Sequence, residues 1–120
     1  MYRIDRCDNI LDQVTFEAFT RGFSDYMIQM EMDLEFFVGL FFGPEGNGRE
    51  LSFVAFKEKE PVGVILGGFK TNEEFKTLRC GGMSIVPQER GTGLADQLLK
   101  AHEKVARENS CRQLSLEVIK

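Results

Sequence analysis

The stretch "GGMSIVPQERGTGLADQLL", from Gly81 to Leu99, joins an apolar strand pattern to an amphipathic helix through a turn rich in glycine. Pro87 ends the strand because it has no N–H group to give to a sheet ladder. Arg90, Gly91 and Gly93 then precede the helix. The start of a helix carries unpartnered N–H groups and a partial positive charge, and glycines leave those groups open to approach. The pattern therefore predicts an anion site, although a tight strand-to-helix turn would also use two glycines.

Two common phosphate-binding motifs do not occur in this stretch. No G-K-S/T sequence follows the glycines, so the turn is not a P-loop, and no G-x-G-x-x-G sequence is present. A phosphate-binding domain of unrelated chemistry stays open as an interpretation of the turn itself.

The elements on either side of the turn predict a strand–helix–strand unit over 76–119. The helix has one apolar face, and the segment "QLSLEVI" after it alternates as a strand does. Such crossovers place the two strands in parallel with a right-handed connection. The apolar face of the helix is formed by Leu94, Leu98, Leu99, Ala101, His102, Val105 and Ala106.

The first half of the chain predicts one strand, two helices and a hairpin. Tyr2 to Arg6 alternates weakly, and Asp8 or Asn9 is expected to cap a helix that ends near Gly22. A second, phenylalanine-rich helix is expected after Asp33. The runs "LSFVAFK" and "PVGVILGGF" predict an antiparallel hairpin. The full order is β-α-α-β-β-β-α-β, in a single domain over residues 1–120.

Composition limits the class of protein and its partners. The 120 residues are 42% hydrophobic and 28% charged, which fits one compact domain with a modest core. The net charge of -4 argues against nucleic-acid binding, and no leader or membrane-spanning pattern occurs, so a cytoplasmic protein without membrane association is expected. Cys7, Cys80 and Cys111 are odd in number and far apart, so neither a disulfide framework nor a metal site is expected.

The segment "VPQERGTGLA", from Val86 to Ala95, resembles the acyl-CoA signature of the GNAT superfamily of N-acyltransferases, Q/R-x-x-G-x-G/A. Arg90, Gly93 and Ala95 match its three defined positions, and Pro87 lies at the usual distance upstream. The predicted order of elements agrees along the chain. The resemblance implies an α+β fold in which a mixed, mostly antiparallel sheet is flanked by helices.

The resemblance also implies an acetyl-CoA site on the strand and the turn. Pantetheine would lie along Met83, Ser84 and Ile85, where the strand parts from its parallel neighbour. Gly81-Gly82 would supply a bulge there, although glycines in a strand are also simply weak points. The diphosphate would bind at the start of the helix, and the implied residues are Arg90, Gly91, Thr92, Gly93, Leu94 and Ala95.

A glutamate on the strand after this helix serves as the general base in some members of the superfamily, and Glu117 occupies the corresponding position. The base is needed because an ammonium group has no lone pair with which to attack. An ordinary exposed strand residue is the alternative, since glutamate is common on the solvent face of strands.

The first two helices and the loop between them often shape the acceptor pocket in this superfamily. Tyr26, Met27, Met30 and Phe37 are therefore the candidate acceptor-binding residues. The alternative is that the phenylalanines and methionines here belong to the core. His102, the one histidine, is interpreted as a packed side chain in preference to a catalytic one.

The activity implied by the resemblance is acetyl transfer from acetyl-CoA directly to a primary amine on a small molecule or a peptide. A non-catalytic acetyl-CoA-binding or regulatory module is the alternative. Superfamily members usually continue with a further helix and hairpin that carry a tyrosine acid, whereas this chain ends at Lys120. A C-terminally truncated domain is therefore expected, and a bare strand edge predicts a homodimer.

Overall fold

A computed structural model describes residues 2–22, 33–43, 46–71, 76–109, 111 and 113–116. These residues form five strands, three α-helices and two short 3-10 helices. The strands are β1 (Tyr2–Arg6), β2 (Gly48–Lys57), β3 (Glu60–Thr71), β4 (Lys76–Ile85) and β5 (Gln113–Leu116). The helices are α1 (Asp12–Arg21), α2 (Leu34–Phe41) and α3 (Leu94–Glu108), with 3-10 helices at Cys7–Asn9 and Pro87–Glu89.

The five described strands form one sheet in the order β1-β2-β3-β4-β5. Neighbouring strands are antiparallel from β1 to β4, and β4 pairs with β5 in parallel. The parallel pair is connected through α3, so the predicted strand–helix–strand unit is confirmed. The mixed, mostly antiparallel α+β fold is confirmed with it.

The helices cover both faces of the sheet. Phe19 of α1 and Phe37 of α2 pack with Val64 and Leu66 of β3 on one face. On the other face, Leu98 of α3 belongs to the cluster that contains Ile65 and Cys80. The alternation of Val64, Ile65 and Leu66 between the two clusters is the period of two that a strand buried on both faces shows.

The start of α1 differs from the sequence expectation. Asp8 and Asn9 lie in a 3-10 helix, and α1 begins only at Asp12, with Leu11 at the N-cap and no side-chain cap. Asp8 is engaged elsewhere, because its Oδ1 accepts a hydrogen bond of 2.7 Å from Arg6 Nε. The predicted cap by Asp8 or Asn9 is therefore wrong.

The start of α2 follows the prediction. Asp33 Oδ1 accepts a hydrogen bond of 2.8 Å from the amide of Phe36, which is the ordinary N-cap arrangement. No helix formed by the described residues is long and apolar enough to cross a membrane. None of the three cysteines forms a disulfide in the part of the chain that the structure describes, and Cys7 and Cys80 are buried.

Candidate functional site: a bulged strand and a glycine turn

The central structural feature of β4 is a bulge at Gly81. In the pairing of β3 with β4, Leu66 lies opposite Gly82 and Gly67 lies opposite Cys80, so Gly81 is an extra residue on β4. Cys80 and Met83 both pack in the cluster under α3, although they are three positions apart and would face opposite sides of a regular strand. The bulge predicted at Gly81-Gly82 is confirmed, and it reverses which residues of β4 face α3.

The side chain of Asn47 explains why the extra residue is a glycine. A Cβ atom at Gly81 would collide with the Asn47 amide. Asn47 is held there because its Nδ2 donates to the carbonyl of Phe41 at 2.9 Å and its main-chain N–H donates to the same oxygen at 3.2 Å. Asn47 is only 6% exposed, and its Oδ1 has no hydrogen-bond partner in the part of the chain that the structure describes.

The segment after the bulge is the predicted pantetheine strand, Met83, Ser84 and Ile85. Pairing of β4 with β5 runs from Thr77 to Cys80 among the described residues, so this segment lies beyond it. Ser84 is buried, and its Oγ donates a hydrogen bond of 3.0 Å to the carbonyl of Phe19 in α1. Because that hydroxyl is used within the protein, Ser84 would meet a ligand through its backbone.

Two glycines with left-handed backbones shape the turn before α3. Gly91 has a φ of +78° and Gly93 has a φ of +89°, values that other residues rarely adopt. A Cβ atom at either position would have no heavy atom within 4 Å. The glycines are thus required by the backbone conformation, and the space above the turn is open.

The turn leaves a group of main-chain amides unpartnered. The first hydrogen bond of α3 runs from the amide of Gln97 to the carbonyl of Gly93, at 3.2 Å. Within the described ranges, the amides from Gly91 to Asp96 donate to no protein acceptor. These donors lie at the N-terminus of a 15-residue helix, where the helix dipole adds partial positive charge. The arrangement can bind an anion without rearrangement of protein hydrogen bonds.

Arg90 ties the turn to two neighbouring elements. Its Nε donates to the carbonyl of Ile85 at 3.1 Å, and its Nη2 donates to the carbonyl of Gly22 at 2.7 Å. Gly22 is the C-cap of α1, where carbonyls lack helical partners and a cation is favourable. The structure therefore gives the Arg90 side chain a structural task at the base of the turn.

Glu89 lies directly before Arg90 and is a buried carboxylate. It is 8% exposed, and its Oε1 accepts a hydrogen bond of 2.7 Å from the phenol of Tyr2. That hydrogen bond, and the Lys57 ammonium at 3.4 Å, hold the pKa of Glu89 below its usual value, although burial acts in the opposite direction. Glu89 is therefore ionised at neutral pH.

Phe37 is the one acceptor-pocket candidate among the described residues. It is fully buried, and its ring centroid lies 5.2 Å from that of Phe19 and 5.1 Å from that of Phe41. This placement agrees with the alternative interpretation, in which the phenylalanines of this helix belong to the core. Glu117, Tyr26, Met27 and Met30 lie outside the described residues.

His102 occupies the packed position that its apolar neighbours predict. The side chain is 0% exposed, and neither ring nitrogen has a hydrogen-bond partner in the described part of the chain. Burial lowers the pKa of His102, so the ring is neutral at neutral pH. His102 lies under the sheet, where a Cβ atom at Gly67 would approach it to 3.4 Å.

Sequence reasoning missed Asn47, Glu89 and the partnership of Tyr2 with Glu89. Asn47 follows a glycine- and proline-rich segment, and Glu89 is one of many charged residues, so their types give no sign of burial. Tyr2 and Glu89 are 87 positions apart. A pattern confined to one segment carries no information about such a contact.

Comparisons with known proteins agree with this geometry. The family model described as "Acetyltransferase (GNAT) family" matches residues 7–120. Curated protein sequences contain no significant match to the chain.

Several solved acetyltransferases share the fold at low sequence identity. Glucosamine-6-phosphate N-acetyltransferase from Arabidopsis thaliana superposes with a TM-score of 0.72 at 9% identity, over 98% of this chain and 82% of that one. Ribosomal-protein-alanine N-acetyltransferase from Brucella melitensis biovar Abortus 2308 gives 0.71 at 12% identity, over 100% and 81% of the two chains. An aminoglycoside acetyltransferase from an uncultured soil metagenomic sample, in complex with sisomicin, gives 0.72 at 16% identity, over 99% and 78%. With the bulged strand, the glycine turn and a family match over most of its length, the chain belongs to the GNAT family of acetyltransferases.

Proposed function

We propose that the chain is an N-acetyltransferase that takes an acetyl group from acetyl-CoA and transfers it directly to a primary amine. The observation that carries the proposal is a run of amides, from Gly91 to Asp96, that find no protein acceptor among the described residues. The run contains two glycines with left-handed backbones, and the space around those glycines is open. A diphosphate is the part of acetyl-CoA that suits such donors, because each of its oxygens accepts hydrogen bonds and its charge complements the helix dipole.

The residues of the turn have different proposed roles in binding the diphosphate. Gly91, Thr92, Gly93, Leu94 and Ala95 would contribute main-chain N–H groups. Leu94 anchors the first turn of α3, since its side chain is 1% exposed within the core. Arg90 supports the site by fixing the turn through its hydrogen bonds to the carbonyls of Ile85 and Gly22.

The segment beyond the bulge would hold the pantetheine arm. Met83, Ser84 and Ile85 lie past the end of the described β4–β5 pairing, and Ser84 keeps its side chain against α1. These residues pair with β3 on one side, and on the other side no described strand lies beside them. Main-chain groups on such a side suit the amide groups of pantetheine, because both partners offer N–H donors and carbonyl acceptors. An amide donor close to the thioester carbonyl would also stabilise the oxyanion that forms on attack.

The transfer makes one bond and breaks one. The amine nitrogen bonds to the thioester carbon, the carbon–sulfur bond breaks, and coenzyme A leaves as a thiolate that takes up a proton. The ammonium form of the acceptor must lose a proton before it can attack, and Glu117 is the proposed general base. The nitrogen loses a second proton as the amide forms, which balances the proton that the thiolate takes up. Tyr26, Met27 and Met30 are the proposed residues on the acceptor side.

The acceptor class is a primary amine on a small molecule or a peptide. The structural neighbours named above are described as acetyltransferases of glucosamine-6-phosphate, of ribosomal-protein alanine and of aminoglycosides. Chains with one fold thus act on acceptors of different chemistry, so the set of amines used to test transfer must include these three kinds.

The function is tested by two measurements on the wild-type chain. Calorimetry with acetyl-CoA measures binding, and release of free thiol in the presence of each amine measures transfer. We expect binding, and thiol release with at least one amine. Binding without thiol release from any amine would favour the non-catalytic module, and no binding would contradict both.

A further inference from the structure

The residues around Glu89 connect the first strand of the chain to the glycine turn. The phenol oxygen of Tyr2 lies 2.7 Å from Glu89 Oε1 and 2.8 Å from Thr92 Oγ1. Thr92 Oγ1 in turn donates to the main-chain carbonyl of Glu89 at 2.7 Å. We call these three residues the Tyr2–Glu89–Thr92 network.

A count of protons shows that the network is closed on itself. The ionised carboxylate of Glu89 can only accept, so it takes the single hydroxyl proton of Tyr2. Thr92 also has a single hydroxyl proton, and the acceptors near it are the Glu89 carbonyl and the Tyr2 oxygen. The hydroxyl of Thr92 is therefore occupied by protein acceptors and is not held out toward a ligand.

The position of the network gives it more than a general stabilising role. Glu89 and Thr92 lie on either side of Arg90 and Gly91, so two side-chain contacts fix the backbone where it turns into the left-handed conformation. Gly91 has no side chain that could hold it in place, and an unrestrained glycine adopts many conformations. Without the network, the turn would have to become ordered when the ligand binds, and the loss of conformational entropy would weaken the affinity.

The negative charge of Glu89 gives a second reason for holding its side chain in place. The Glu89 carboxylate would repel a diphosphate more strongly if its side chain could move freely toward the turn. Here Tyr2 donates to one carboxylate oxygen, and Lys57 Nζ lies 3.4 Å from each of the two oxygens. The Lys57 side chain is 55% exposed, so water screens its contribution, and the partly buried hydrogen bond from Tyr2 is the stronger restraint.

We propose that Tyr2 is a positioning residue for the donor substrate, and that it acts through Glu89 and Thr92 to hold the glycine turn in the conformation that receives a diphosphate. This inference rests on the proposed function. In this proposal Tyr2, on the first strand, raises the affinity for the donor that carries the diphosphate. Tyr2 does so without contacting the reacting atoms.

The test compares two acetyl donors on the Tyr2→Phe variant. Acetyl-CoA carries the diphosphate, and acetyl-pantetheine ends before it. Because the variant loses a hydrogen bond to a charged group, we expect the Kd for acetyl-CoA to rise roughly ten- to hundred-fold. The Kd for acetyl-pantetheine stays unchanged, and kcat at saturating acetyl-CoA stays near the wild-type value while its KM rises.

Thr20→Val is the matched control for the loss of a hydroxyl. Thr20 Oγ1 donates to the carbonyl of Phe16 within α1 at 3.1 Å, away from the turn. We expect this variant to keep the wild-type ratio of the two donor affinities. Thr92→Val provides a second route, since it removes the hydroxyl at an exposed position that does not endanger folding. It is expected to lose donor discrimination as Tyr2→Phe does, and Thr92→Ser is expected to bind acetyl-CoA more tightly than Thr92→Val.

The outcomes separate the two levels of the proposal. If the wild-type chain prefers acetyl-CoA and both variants keep that preference, with only a lower melting temperature, the positioning role of Tyr2 is overturned and the proposed function stands. If the wild-type chain binds both donors equally or neither, the diphosphate site fails, and the role of Tyr2 fails with it.

Discussion

The Nη2 atom of Arg90 donates a hydrogen bond of 2.7 Å to the carbonyl oxygen of Gly22, and this bond joins the end of α1 to the glycine turn. The same guanidinium donates through Nε to Ile85, at the end of β4. One side chain thus holds together the three elements that meet at the candidate site. The arginine of the acyl-CoA signature has in this chain a structural reason to be arginine, since its planar guanidinium donates from two separate nitrogens to two different carbonyls.

Arg90→Ala should therefore weaken the fold as well as acetyl-CoA binding. Removal of hydrogen bonds from a charged donor predicts a fall of about 1.5–3 kcal/mol in the free energy of unfolding. Arg90→Lys should recover part of that loss, because an ammonium can reach one of the two carbonyls. Urea unfolding measures the change, and Arg107→Ala is the control, since that side chain is 81% exposed. Equal stability of Arg90→Ala and wild type would refute the structural task.

Gly81→Ala should destabilise the chain, whereas Gly82→Ala should be tolerated. A Cβ atom at Gly81 meets the anchored Asn47 side chain, but one at Gly82 lies 3.5 Å from Phe19, which is ordinary contact. Overpacking of this kind lowers the free energy of unfolding by about 1–3 kcal/mol. Thermal unfolding of the two variants tests the difference, and equal melting temperatures would show that the bulge tolerates a side chain.

The stability of the chain should fall as the pH drops through the ordinary pKa of histidine. Burial lowers the pKa of His102 from 6.5, so below that pH the unfolded chain binds a proton that the folded chain does not. The loss begins near pH 6.5 and continues down to the depressed pKa of the folded state. His102→Leu should flatten this part of the profile and should be at least as stable at pH 7, because it removes two buried ring nitrogens that have no partner among the described residues. Urea unfolding between pH 5 and pH 8 gives the comparison; an unchanged slope in the variant would rule out His102 as its cause.

Glu117→Gln should lower turnover without weakening the binding of acetyl-CoA. A general base contributes roughly 100- to 10,000-fold to the rate, so kcat should fall by about 100-fold or more near neutral pH. The loss should shrink at high pH, where the acceptor amine is already deprotonated. The pH profile of kcat, together with calorimetry for acetyl-CoA, provides the measurement. If turnover and profile match the wild type, Glu117 is an ordinary strand residue.

Local patterns predicted the parts of the fold that local forces decide. The antiparallel hairpin of β2 and β3, the start of α2 after Asp33 and the bulge at Gly81-Gly82 were predicted in this way, and each reflects a demand of the backbone at that position. The glycines before α3 indicated an open turn, and the structure adds that Gly91 and Gly93 both have left-handed backbones.

Tertiary contacts decided what the patterns could not. Asp8 was expected to cap α1, yet Arg6 engages its carboxylate, and the helix starts later. Asn47 lies against a bulge on a strand that is distant in sequence, and Tyr2 meets Glu89 across almost the whole chain. Each of these partners is a common surface residue type, so its role appears only when the fold brings the two segments together.

The central claim is that main-chain amides of the glycine turn bind the diphosphate of acetyl-CoA. Titration of the ¹⁵N-labelled chain with acetyl-CoA measures those amides one by one through their ¹H–¹⁵N resonances. The account predicts the largest shifts at Gly91, Gly93 and Ala95, in the direction of stronger hydrogen bonding, and smaller shifts with acetyl-pantetheine. Saturable binding that leaves these three resonances in place, or shifts that are equal for the two donors, would contradict it.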